Sequence, residues 1–162
     1  MNATELSNLF RISHYAIHAN LEGFTHEDGL RRPEPDGNCA NWVLGHIVAS
    51  RNGILAILGE EPALHGAVAD RYKRGSSAIS HERDAAHMEL LVKALDDSQE
   101  RILDALARAT ALDLAKPAAA PVVTSGDTSV GGQLSFLHFH ESYHSGQLGL
   151  LRRLAGKPGA IR

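Results

Sequence analysis

Residues 139–154 read FHESYHSGQLGLLRRL, and this stretch decides the architecture. His140, His144, Leu148 and Leu151 follow one another at steps of three or four, so on an α-helix they share a single face. Gln147 extends that face, while Phe136, Tyr143 and Leu154 flank it. Working outward, GDTS at 126–129 supplies a start and GKPG at 156–159 a Gly-then-Pro stop, so the helix is expected from Val130 to Ala155. His138 lies roughly 160° around the same helix, among Ser142, Ser145, Gly149 and Arg153, on the face expected to meet solvent or a partner.

Three other segments repeat the helical pattern. The first runs from Thr4, a plausible N-cap with Glu5 in its first turn, to Gly23, with Leu6, Phe10, Ser13, Ile17 and Leu21 in one stripe. The second starts near Asn38, after the turn-rich RRPEPDGN, and carries Trp42, Val43, His46, Ile54 and Ile57 before Gly59 and Pro62 end it. The third follows Ser80, with Glu82 and Asp84 in its first turn, and repeats Met88, Leu91, Val92, Leu95, Ile102, Leu103 and Leu106. With little strand signal, the expected class is all-α: an antiparallel four-helix bundle formed by residues 1–162 as one domain. The connections 24–38, 59–80 and 109–129 are long for a minimal bundle and are expected to fold over an end and shape a pocket.

Bulk properties narrow the function classes. Net charge is −3 with acids and bases interspersed, which argues against a nucleic-acid or anionic-membrane partner. No apolar run approaches the roughly 18 residues of a membrane span. The N-terminal stretch has no signal-peptide pattern, and one cysteine makes no internal disulfide, so a cytoplasmic protein acting on a small-molecule substrate is expected. Aromatics are sparse at 5%, whereas ten histidines in 162 residues is high, which makes histidine the residue type to follow.

On the second helix His46 shares a face with Trp42, Val43, Gly53 and Ile57, so three imidazoles, His46, His140 and His144, are expected to converge on the core from two helices. Burying them unpartnered is costly, and ligation of one divalent ion per chain removes that cost. Three protein ligands with a fourth position open is the catalytic rather than structural pattern for zinc. Zinc is the first expectation and nickel the second, with iron or manganese compatible. His14 and His18, also four apart, sit at the margin of the first helix's stripe and beyond it, and are weaker ligand candidates.

Two blocks resemble a known family. NWVLGHIVASRNGIL, residues 41–55, resembles the W-x2-GH signature of the DinB/YfiT-like metalloenzymes. SVGGQLSFLHFHESYHSGQLGLLRRLAGKPG, residues 129–159, resembles their closing H-x3-H-x-GQ helix and its Leu-Arg-Arg-x-x-Gly ending. The resemblance implies an up-down-down-up four-helix bundle, often a homodimer, with one metal on the residues matching His46, His140 and His144. It also implies a metal-dependent enzyme of the thiol-dependent S-transferase or isomerase kind, which uses a low-molecular-weight thiol as cofactor or co-substrate. A metal-dependent hydrolase and a non-catalytic metal or small-ligand binding protein are the alternatives.

Other residues complete the expected site. Trp42, one turn before His46, is placed as a pocket wall or core residue, and Gln147 as a substrate contact or core hydrogen-bonding group. Glu141 is expected at the pocket or orienting an imidazole, since Glu141-x-x-His144 lacks the further inward carboxylates of a di-iron site. Cys39 at a helix start is either a reactive thiol or a small buried hydrophobe. Leu44, Val48 and Leu55 lie nearly opposite His46, so the second helix is apolar all round and either enclosed or covered by another chain; a homodimer is expected from this face.

Overall fold

The computed structural model describes residues 1–34, 36–121 and 126–161; Pro35 of the RRPEPDGN turn and residues 122–125 of the third long connection lie outside them. The described chain is all-α, with seven α-helices rather than four. The long ones are α1 (Ala3–Leu21), α3 (Ala40–Ile57), α5 (Met88–Arg108) and α7 (Val130–Leu154). Three short ones, α2 (His26–Leu30), α4 (Gly66–Arg71) and α6 (Ala111–Ala115), occupy the long connections.

Local chemistry accounts for the ends. α1 is capped by Asn2 rather than Thr4: Asn2 Oδ1 accepts from the Glu5 amide at 2.9 Å, and Glu5 Oε2 accepts from the Asn2 amide at 2.8 Å. This reciprocal box needs the glutamate three residues after the cap, a spacing that Asn2 has and Thr4 lacks. The acids after Ser80 form a single 3₁₀ turn, Glu82–Asp84, and α5 begins only at Met88, where the apolar repeat begins. Thr25 with Asp28 and Thr110 with Asp113 build the same box for α2 and α6, which lets such short helices start cleanly. α7 is capped by the Ser129 hydroxyl and ends one residue before Ala155.

Packing pairs α1 with α7 and α5, and α3 with the same two, so the four long helices form a closed ring. Two apolar clusters fill it. Ile17, Leu21, Val43, Leu44, Ile47, Leu91, Leu95, Leu148 and Leu151 belong to one; Leu6, Phe10, Ile54, Leu55, Ile102, Leu106 and Leu134 belong to the other. α1 and α7 meet the second cluster first along the chain, whereas α3 and α5 meet the first.

Between the clusters the four long helices contribute a hydrogen-bonded layer of buried polar residues, Ser13, Arg51, Ser98 and Glu141. Arg51 Nε and Nη2 donate to the two Glu141 carboxylate oxygens at 2.7 and 2.8 Å, and Nη1 donates to Leu95 O and Ser98 Oγ at 3.0 Å each. Ser13 Oγ donates to Glu141 Oε1 at 2.6 Å. Burial alone pushes the Glu141 carboxyl up, but the Arg51 charge and the hydrogen bonds from Arg51 and Ser13 more than offset it and hold the group below its ordinary range.

α3 is enclosed by its own chain. Leu44, Val48 and Leu55, expected as a face for a second copy, are fully buried in the two clusters, with α2 and α4 packed on α3 in addition to α5 and α7. Enclosure, the other outcome open to a helix apolar all round, is the one the structure has.

Candidate metal centre

The α3–α7 interface brings His46, His140 and His144 together. Their Nε2 atoms converge, with His140 Nε2 3.3 Å from His46 Nε2 and 3.2 Å from His144 Nε2. Donor atoms held at 2.0–2.1 Å around a tetrahedral ion stand about 3.3 Å apart, so the spacing suits ligation.

The second nitrogen of each ring sharpens this. His46 Nδ1 lies 2.7 Å from the Tyr72 carbonyl oxygen, which can only accept, so Nδ1 carries the proton and donates. His144 Nδ1 donates likewise to Gln147 Oε1 at 2.7 Å. With Nδ1 as the donor, the neutral form of each ring turns an Nε2 lone pair toward His140 Nε2, whose single proton could satisfy at most one of them. Burial, then the nearby His144 and His46, hold His140 down to about 4, and burial lowers His144 against the opposing Gln147 hydrogen bond. At neutral pH these two rings are neutral. His140 Nδ1 is buried with no partner. Three converging Nε2 atoms, with the protons of His46 and His144 held on the far nitrogens, are what a divalent cation requires, so the residues fit a metal.

The local sequence explains the placement. A Cβ on Gly45 would overlap the Tyr72 ring, so glycine lets that ring press against α3 and brings its carbonyl to His46. The fully buried Tyr72 is pinned from its other end: its hydroxyl donates to Asn41 Oδ1 at 2.8 Å and accepts from the Ala86 amide at 2.7 Å. Trp42 stacks on His46 with centroids 4.8 Å apart and planes at 15°, and its Nε1 donates to Ser76 Oγ. A pocket of about 420 Å³ opens beside the cluster, lined by His46, His140, Ser50, Phe136, Lys73 and Arg74 among others. Lys73 pairs with Asp70 at 3.3 Å, whereas Arg74 has no carboxylate partner among the described residues. Lys73 and Arg74 both come from the turn just after α4, as expected of a long connection that shapes a pocket.

One expectation needs correction, and one pair of alternatives is decided. Glu141 neither lines that pocket nor orients an imidazole: it faces the interior and binds Arg51 and Ser13. Its position about 100° around the helix from His140 directs it past the cluster to the bundle axis. Cys39 is fully buried and burial pushes its thiol up, so it is a core residue and not a poised nucleophile. Sequence reasoning missed Arg51, Tyr72, Ser76, Lys73 and Arg74. Only Arg51 carried a signal, as the sole Lys, Arg, Asp or Glu in α3; the others sit in the loop after α4, with no periodicity to locate them.

His138, expected on the outer face, turns its ring edge to Phe10 and meets the Leu9 carbonyl at 3.1 Å, in the α1–α7 contact and outside the cluster. His14 and His18 form a separate group with Asp96.

In fold the chain is similar to a conserved protein from Enterococcus faecalis known by crystal structure, with a TM-score of 0.71 at 18% identity, covering 97% of this chain and 99% of that one. No curated protein matches. The sequence profile of the DinB superfamily matches residues 9–148, nearly the whole bundle including all three converging histidines. The chain therefore belongs to the DinB superfamily.

Proposed function

We propose that the chain is a metal-dependent enzyme that holds one divalent ion, zinc first and nickel second, on His46, His140 and His144 and acts on a small thiol and an electrophile. The observation that carries this reading is the convergence of three Nε2 atoms with two tautomers fixed by Tyr72 and Gln147. When bound, a divalent cation with an open position lowers the pKa of a thiol there and so supplies thiolate at neutral pH. The chain's own groups do the rest. Trp42 and Phe136 bound the cluster with apolar surface, and Arg74 at the pocket mouth supplies a positive charge for the carboxylate of a cellular thiol. The family resemblance to thiol-dependent S-transferases and isomerases points the same way, and hydrolysis at the same centre is the outcome to exclude.

The same reading takes residues 1–162 as one up-down-down-up bundle, which the opposite running order of α1 and α7 against α3 and α5 supports. It also takes the protein as a cytoplasmic homodimer. No described helix is long and apolar enough to cross a membrane. With α3 enclosed, the dimer has its support on α1 and α7, where Ile12, Tyr15, Phe139, Tyr143 and Leu150 are exposed. Light scattering at micromolar concentration should return the dimer mass.

Metal analysis of purified protein, followed by assays pairing electrophiles with several cellular thiols, tests the function. Metal-dependent consumption of both thiol and electrophile is expected. Ester or amide hydrolysis without thiol would replace transfer by hydrolysis. Metal content unchanged from the wild type in His46→Ala, His140→Ala and His144→Ala alike would remove the site.

A further inference from the structure

Across the bundle, where α1 packs on α5, lies a second group of metal-ligating side chains. His14 and His18 stand one turn apart on α1 with their rings in edge contact, centroids 4.5 Å apart. Both direct Nε2 at one carboxylate oxygen, Asp96 Oδ1 on α5, from 3.4 and 2.6 Å. Asp96 pairs with no lysine or arginine among the described residues, so its charge is directed at two imidazoles alone. Nearby, Asp96 lines a groove of about 420 Å³ that runs along Leu21, Phe24, Met88 and Val92.

We propose that His14, His18 and Asp96 form a second divalent-cation site that clasps α1 to α5. The His14–Asp96 separation already suits two donors on one tetrahedral ion, for which about 3.3 Å is expected from bonds of 2.0–2.1 Å. The His18–Asp96 contact is a hydrogen bond that has to open by several tenths of an ångström. Asp96 is free to do so, since its side chain is 46% exposed. Two imidazoles and a carboxylate select borderline transition cations such as zinc, cobalt, nickel or ferrous iron over magnesium or calcium, which prefer all-oxygen sites. His14 is suited to ligation at neutral pH, because burial and then the Arg51 charge hold it at about 4 and keep the ring neutral. Side-chain exposures of 22% for His14 and 39% for His18 leave an entry path from solvent and room for water on the outer positions. The site shares no residue with the His46 cluster and stands or falls independently of it.

Titration of chelator-stripped full-length protein with Co²⁺, read by visible absorption and stoichiometry, tests this in a His140→Ala/His144→Ala background. That variant should still bind one equivalent of Co²⁺, and Zn²⁺ should raise its melting temperature. Adding Asp96→Asn should abolish both effects, while Asp96→His should restore them. His87→Ala, which breaks the other close histidine pair, the His26–His87 stack at 4.6 Å, should change nothing. The site is refuted if the double variant takes up no cobalt, if Asp96→Asn leaves uptake intact, or if His87→Ala removes it. Should the double variant fail to fold by circular dichroism, His18→Gln in the wild type decides: two equivalents falling to one supports the site, and unchanged stoichiometry overturns it.

Discussion

Two H-x3-H pairs occupy the long helices, one on α7 facing α3 and one on α1 facing α5, and they differ in what stands behind each ring. Behind His46 and His144 are a carbonyl and an amide oxygen that fix the far nitrogen. Behind His14, Nδ1 is buried without a partner, and the carboxylate ahead of it is shared with His18. One cluster is preorganised and opens on a lined pocket, whereas the other is held by a partly exposed acid at a helix–helix seam. Similar spacing along a helix thus yields two environments. The difference comes from Tyr72 in a loop, from Gln147 a turn further along α7 and from the facing helix, rather than from the pair itself.

The contrast can be broken first at the layer both clusters flank. Arg51→Met leaves Glu141 buried without its charge partner and should cost about 3–5 kcal/mol in urea unfolding. Arg51→Met/Glu141→Leu should recover most of that loss; a double variant as unstable as the single one would show that the pair is not the cause. Next, His140→Ala should weaken metal binding at the α3–α7 centre by about 100-fold or more, since loss of an outer partner alone costs 10–100-fold. His14→Ala should leave that affinity unchanged, and competition with a chromophoric chelator measures both. Gln147→Leu follows, with about 10–100-fold weaker binding and little change in the melting curve, because it frees His144 Nδ1 without touching the ligand atom. Smallest is Asp96→Asn in metal-free protein. A half-exposed pair of this kind is worth less than about 1 kcal/mol, so a larger loss in chelator-treated unfolding would mean that the α1–α5 cluster stabilises the apo fold.

Legibility followed periodicity. The faces of His140, His144 and His46 could be read because each sits in a long helix whose leucines define an inward direction. The order of the four long helices was readable for the same reason, and α7 matched to within a residue at its end. The short helices were not, since five or six residues are too few to show a period, and the starts of α2 and α6 depend on a single Thr–Asp box each. Residues paired across the bundle were invisible as well. Arg51 and Glu141 are 90 residues apart, and no spacing rule within one helix connects them. Asp96 was hidden similarly: beside Asp97 on an amphipathic helix it resembles an ordinary solvated acid, and only the packing of α1 on α5 gives it two imidazoles.

The buried layer of Ser13, Arg51, Ser98 and Glu141 also acts as a ruler. A slip of one helix by a single turn, about 5.4 Å, would remove its polar residue from this level and push it among leucines of a neighbouring cluster, stranding the charge it had satisfied. Apolar contacts alone tolerate such slips far better, because one leucine substitutes readily for another. His140 immediately precedes Glu141 on α7, and His46 lies five residues before Arg51 on α3, so fixing the charge pair fixes the height at which the imidazoles meet. The vertical alignment of the three imidazoles is thereby set by a bond in which no histidine takes part.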